Sequence, residues 1–305
     1  MDFKHPKTFG NVSFSIINYT ILIAFTLLCI YPFYYIFINT ISANNLSARG
    51  EIIFIPRQIH FSNYIQVLQL PGLLRAAFVS VSRTVIGTAC TVAAAAFLGY
   101  LFTKPMWGRK IWYRFLIASM YFSAGLVPWF LVLIRMGFRN NFLVYIIPGI
   151  VSPFAVLLVK TFIESTPESL QEAAEIDGAG PLRIFTFVIM PLIKPILATV
   201  AILTAVGQWN AFMDTLIFAT TEQRLWTLQF ILHRYLTQAG ALARMIQMAM
   251  AGVQVDIGAL MATNVQTPTS VRMTITMIVT LPILFVYPFF QRYFVKGIMI
   301  GAVKG

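Results

Sequence analysis

Residues 164–195 read ESTPESLQEAAEIDGAGPLRIFTFVIMPLIKP, and this stretch decides how the rest of the chain must be arranged. Five of the ten acidic residues fall in its first fourteen positions: Glu164, Glu168, Glu172, Glu175 and Asp177. Such a cluster does not sit in lipid; it lies in water or on a protein partner. The local signals predict two short helices. Thr166 is a helix-capping residue, with Pro167 at the first helical position and Glu168 in the first turn. The helix then runs over 168–176. Asp177 and Gly178 stop it, because glycine tolerates the left-handed conformation that ends helices. Gly180 and Pro181 restart a second helix. Where the helix is continuous, Glu164, Glu168 and Glu172 share a face. Leu170, Ala173 and Ala174 form a smaller apolar surface suited to a groove on a partner.

The surroundings of this stretch are very different. The chain of 305 residues is 58% hydrophobic and 10% charged, against about 25% charged in a soluble domain. Apolar segments long enough to cross a bilayer cover about 15–41, 74–103, 112–135, 142–162, 186–207 and 273–294, a crossing taking about 20 residues. The expected fold class is therefore all-α, a polytopic membrane protein with six transmembrane helices in a single domain over 1–305. The first part of the second segment, with Arg75 and Arg83, reads as an interfacial helix leading into the span. Gly125 and Pro128 interrupt the third, where proline removes a backbone hydrogen bond and allows a kink. The first apolar run is long enough to be a retained span.

Positive charge orients the chain. With the amino terminus in the cytoplasm, all eight lysines fall on or beside that side, and both termini are cytoplasmic. Arg49, Arg57, Arg75, Arg135, Arg139, Arg224, Arg234, Arg244 and Arg272 then face outside with Glu51, Asp214, Glu222 and Asp256. Residues 42–73 and 208–272 become outside segments, the longer one carrying short helices of its own.

Several function classes are disfavoured. The net charge of +12 comes without a dense basic run, so nucleic acid is not the expected partner. No phosphate-binding GxxxxGK[ST] loop occurs, so ATP is not hydrolysed by this chain. No nucleophile and base stand together, and an enzyme is not expected. Cys29 and Cys90 lie in apolar runs, and His5, His60 and His233 are scattered, so neither a disulfide nor a metal site is predicted. No acidic residue falls inside a predicted span, which weighs against a carrier built on a carboxylate relay. Gln208, Trp209, Asn210 and Asp214, just past the fifth span, have the aromatic and amide character that suits sugar contact, and Gly125 with Pro128 suits a hinge on the same pathway.

The run Glu172-Ala173-Ala174, then Asp177-Gly178-Ala179, then Pro191, resembles the EAA motif of permeases from binding-protein-dependent ABC importers. Gly178 follows Glu172 by six residues and Pro191 follows Gly178 by thirteen. Val188 and Met190 stand where the motif has Ile and Leu, a mild departure. The DGA triplet, Pro195, Trp209-Asn210, Tyr31-Pro32-Phe33, Gly125 with Pro128, and the ending Gly297-Ile298-Met299-Ile300-Gly301-Ala302-Val303-Lys304-Gly305 are similar to the carbohydrate-uptake, maltose-type branch.

That resemblance implies a type I ABC importer permease fold in the bacterial cytoplasmic membrane. It implies that about 164–185 form the coupling helices, with Glu168, Glu172, Ala173, Ala174, Asp177, Gly178 and Ala179 against an ATPase. The implied partners are an ABC ATPase dimer that holds the ATP, a second permease subunit of different sequence, an extracytoplasmic solute-binding protein, membrane lipid and an oligosaccharide, with an anionic, uronate-type sugar as one option. Import of another solute such as glycerol phosphate, or a secondary carrier acting alone, remain the alternatives.

Overall fold

A computed structural model describes residues 9–237, residue 267 and residues 269–285. The described residues are helical, with no strand among them. The chain divides into two compact units, one of Met1–Gln69 with Tyr235–Ile278, the other of Leu70–Arg234 with Val279–Gly305.

In the first unit, α1 (Phe9–Thr40) is 32 residues long, or about 48 Å at 1.5 Å per residue. Its side chains are apolar all round and exposed over nearly the whole length, as a helix facing lipid requires. Two short helices follow, α2 (Asn44–Ala48) and α3 (Ser62–Leu68). Side-chain amides and hydroxyls join them. The Asn39 amide donates to the Tyr35 and Ile52 carbonyls, and the Ser47 hydroxyl donates to Asn39 Oδ1. The Asn63 amide donates to the Thr40 carbonyl and to Asn44 Oδ1. Asn39, Thr40, Ser42, Asn44, Ser47 and Asn63 are all buried. Each of these residues makes at least one hydrogen bond, which lowers the cost of burying it. The mixed polarity of residues 42–73 thus builds a polar core. Burial raises the Tyr64 phenol above its usual pKa, a shift its hydrogen bond with Thr40 opposes.

The second unit is organised around α4 (Leu73–Leu101), which packs against α7 (Pro153–Glu164) and α11 (Lys194–Asn210). Small residues allow close approach. A Cβ on Gly99 would stand 2.8 Å from Val159 Cγ1 and 3.1 Å from the Lys160 backbone nitrogen. Ala95, Ala96, Tyr100, Val156, Val159 and Val200 form the adjoining core. The second span is one continuous helix of 29 residues, so its amino-terminal part is not a separate interfacial helix. The reason is Arg83: only 2% exposed, it is partnered inside the unit and has no need of the lipid surface.

The third, fourth and fifth spans are bent, and only the break in the third was expected from the sequence. The third consists of α5 (Arg109–Tyr121) and α6 (Leu126–Arg135), at 119° to each other. The break lies before Gly125, whose φ of 84° and ψ of 173° suit glycine. Pro128 is the third residue of α6, where it has no intrahelical hydrogen bond to break. The kink therefore belongs to the glycine side of the pair. The fourth begins with tight turns over Phe142–Gly149, and α7 follows at 43° with Ser152 as its cap and Pro153 at its start. The fifth bends by 77° between Pro181–Leu192 and α11. Pro195 has no N–H to offer Pro191, and its ring clashes with the carbonyl four residues back. The first arm includes α9 (Pro181–Ile184), a wider turn over Phe185–Ile189, and α10 (Met190–Leu192).

Beyond α11 lie α12 (Met213–Phe218) and a helix over 228–237, α13. The described part of the sixth span is α14 (Thr269–Phe285). The rest of that span, most of residues 238–268, including Arg244 and Asp256, and the carboxy-terminal motif lie outside the described residues.

Candidate functional site

The acidic segment forms α8 (Ser169–Ile176), and none of its residues is buried. Its cap lies two residues past the one expected from the sequence. The Thr166 hydroxyl donates back to the Ile163 carbonyl, so it closes α7 instead of capping α8, and Glu168 takes the cap position. Because α7 ends at Glu164, that residue is not on the face that carries Glu172. The stop is as predicted. Gly178 has a φ of 78°, its N–H reaches the Glu175 carbonyl, and the Ala179 N–H reaches the Ala174 carbonyl. This paired arrangement satisfies the last carbonyls of the helix.

Ala174 and Ala179 turn inward and pack on the core of the second unit. Glu168, Glu172, Ala173, Asp177 and Gly178 are exposed, and Ile176 is 86% exposed. The docking surface read from Leu170, Ala173 and Ala174 is thus divided: Ala174 anchors the helix, whereas Leu170, Ala173 and Ile176 face out. Lys104 pairs with Glu175 at 3.1 Å, and Lys160 with Glu164 at 2.6 Å. Glu168, Glu172 and Asp177 make no ion pair among the described residues. The helix is thus exposed, carries carboxylates without an ion pair among the described residues, and is held to the core through Ala174 and Ala179.

A second site lies inside the membrane-spanning part, where a cavity of about 450 Å³ opens between α4, α7, α11 and α12. Its wall contains Arg83, Trp129, Tyr145, Ser152, Gln208 and Asp214. The Arg83 guanidinium is nearly saturated. Nη2 donates to Asp214 Oδ2 at 2.8 Å and to Gln208 Oε1 at 3.0 Å. Nε donates to the same Gln208 oxygen at 3.2 Å, and Nη1 to the Ala211 carbonyl at 3.2 Å. The guanidinium's central carbon lies over the Tyr145 ring, 4.5 Å from the ring centre. Tyr145 is itself fixed, donating to the Leu225 carbonyl and accepting from Thr215. Gly87 leaves the space that Gln208 occupies: a Cβ there would lie 2.8 Å from the Gln208 amide nitrogen.

Among the residues picked from sequence, Gln208 and Asp214 meet at this cavity. Trp209 does not: it is buried, and its indole N–H donates to the Val279 carbonyl, tying α11 to α14. Asn210 accepts from the Gln229 amide. Gly125 and Pro128 are not in the wall, although their neighbour Trp129 is. Arg83 was missed as a site residue. Its signal was present: an ionisable residue well inside a long apolar helix calls for a partner, and Asp214 is the acid that meets it.

Apolar helices of membrane length, a cavity lined by a buried charged cluster and an exposed acidic helix are the features a membrane transport component would need. Residues 91–300, more than half of the chain, match the family described as binding-protein-dependent transport system inner membrane component, and the chain belongs to that family. The polygalacturonan/rhamnogalacturonan transport system permease protein YtcP of Bacillus subtilis is 29% identical over 296 residues, covering 97% of this chain and 99% of that one. Protein LplC of the same organism is 31% identical over 302 residues, covering 99% and 98%. A crystal structure of a bacterial ABC transporter involved in import of the acidic polysaccharide alginate contains a chain that superposes with a TM-score of 0.80 at 27% identity, covering 95% of this chain and 100% of that one. The chain is thus an inner-membrane component of a transport system that depends on a binding protein.

Proposed function

We propose that this chain is one membrane-spanning subunit of an ATP-driven importer that moves oligosaccharides, of the acidic uronate type, into the cytoplasm. It forms a single transmembrane domain beside a second, different permease chain, with both termini in the cytoplasm. ATP is bound by a separate ATPase pair, and an extracytoplasmic solute-binding protein delivers the sugar. The observation that carries the coupling half is α8, which exposes Glu172, Ala173, Ile176, Asp177 and Gly178 while Ala174 and Ala179 hold it to the core. Displacing a docked helix of this kind moves the body beneath it. The acidic-sugar half is supported by the polygalacturonan named for one relative and the acidic polysaccharide named for the structural neighbour.

Glu172→Lys and Gly178→Asp are expected to release the ATPase on co-purification and to abolish ATP-dependent uptake. Uptake by the isolated chain with no ATPase would reject the reading. Reconstituted complex supplied with uronic and neutral oligosaccharides of equal length is expected to take the uronic one. Uptake of neutral sugar alone would remove the acidic half and leave the coupling half standing.

A further inference from the structure

The arrangement around Arg83 carries a step beyond the general reading. Arg83 is the cation in the cavity wall, and the protein already gives it a carboxylate. That carboxylate is held by one oxygen only: Oδ2 meets Nη2, and no hydrogen bond to Oδ1 is present among the described residues. A carboxylate and a guanidinium bind most strongly in the two-point, fork-to-fork arrangement, which Asp214 does not make. The two partners also differ in burial. The Arg83 side chain is 2% exposed, whereas that of Asp214 is 27% exposed and sits in the first turn of a six-residue helix. The guanidinium is thus the fixed member and the carboxylate the movable one. Its remaining bonds run to neutral oxygens, Gln208 Oε1 and the Ala211 carbonyl.

We propose that Asp214 is an internal competitor for the carboxylate of an acidic sugar, and that Arg83 is the specificity-determining residue for which the two compete. The inference rests on the acidic-sugar reading above. An entering uronate takes the two-point position on Arg83 as Asp214 swings to the open side of the cavity. One carboxylate replaces another, so Arg83 is never left buried and unpaired, a condition that is strongly destabilising. A neutral sugar offers no replacement and leaves the internal pair closed. The exchange also sets an upper bound on affinity: the sugar gains only the difference between its own bond and the one it displaces, so it is released readily. Transport requires that release.

The test is equilibrium binding of a labelled uronic-acid trisaccharide and a neutral trisaccharide of the same linkage to the whole complex in lipid nanodiscs, without the binding protein. Asp214→Asn removes the competing charge and is expected to tighten the acidic trisaccharide by roughly tenfold. Asp214→Glu keeps the charge on a longer arm able to reach the two-point position, and is expected to weaken the acidic trisaccharide several-fold. It preserves the ion pair, so it tests the inference even where the Asn variant does not fold. The neutral trisaccharide is expected to bind equally in all three proteins. Parallel shifts of both trisaccharides, or no shift of the acidic one, would mark the pair as a brace only and overturn the proposal while leaving the acidic-sugar reading intact. A wild-type complex that binds only the neutral trisaccharide overturns both.

Discussion

The Arg83 cluster and α8 use charge in opposite ways within one apolar chain. At Arg83 a single positive side chain is buried and nearly every donor is engaged. On α8 the carboxylates of Glu172 and Asp177 are exposed and carry no ion pair among the described residues. Desolvation explains the contrast. A charge out of water survives only while it is paired, whereas a charge in water can wait for a partner from elsewhere. Unpaired exposed charge can therefore meet another molecule directly, and a saturated buried charge can do so only by exchanging a partner it already holds.

The contrast can be broken most violently at Arg83. Arg83→Met leaves Asp214 and Gln208 facing a buried gap and is expected to cost about 3–5 kcal/mol, read as thermal unfolding of the detergent-solubilised protein. Pairing it with Asp214→Leu is expected to recover most of that loss, because an apolar pair of similar volume is often as stable as the ions it replaces. No recovery would mean that the cluster is not the unit described. Next in size is Gly99→Ala. Its methyl meets a β-branched side chain and backbone that cannot yield, so about 1–3 kcal/mol is expected from overpacking, again by thermal unfolding. Gly87→Ala is a control with the same 2.8 Å approach. There only the flexible end of Gln208 must move, so its stability loss should be clearly smaller.

Gly178→Ala is expected to cost about 1–2 kcal/mol, the strain of a left-handed residue with a Cβ, and to act by fraying the end of α8. Reduced ATPase co-purification with an intact core would match that expectation; full recovery of the ATPase would not. The smallest effect is expected from Lys104→Ala, which removes a partly exposed bond to Glu175 and should change stability by less than about 1 kcal/mol. A larger loss would mean that α8 is held by charge and not by Ala174 and Ala179.

The two regions also differ in how far the sequence reveals them. The end of α8 is written in adjacent residues, because the conformations open to Gly178 are fixed by its own lack of a Cβ. Its cap was misplaced by two residues, because the Thr166 hydroxyl had two neighbouring helices to serve and the spacing alone does not say which. The partner of Arg83 lies 131 residues away, and no local pattern connects them; only the cost of an unpaired charge in a long apolar helix hints that a partner exists. The bends fall between these extremes. Pro195 carries the physical reason for the break at Ile193, yet a hydropathy reading sees only an apolar run through it. Gly125 and Pro128 flagged the third span correctly, but glycine's backbone freedom, not the missing proline N–H, sets the position of the turn. Trp209 shows the limit for side chains: its chemistry suits a sugar, and its indole is spent on the Val279 carbonyl.

The bend at Ile193 gives α11 a fulcrum. Lys194 stands at the near end of that rod and Gln208 near the far end, about 21 Å away at 1.5 Å per residue. A tilt of about 5° at the fulcrum sweeps Gln208 through about 2 Å over that length. Its contacts with Arg83 are 3.0 and 3.2 Å long, so a swing of that size breaks both. A rotation of that size beside α8, carried along the kinked fifth span, would reach the charged cluster as the loss of both Gln208 contacts.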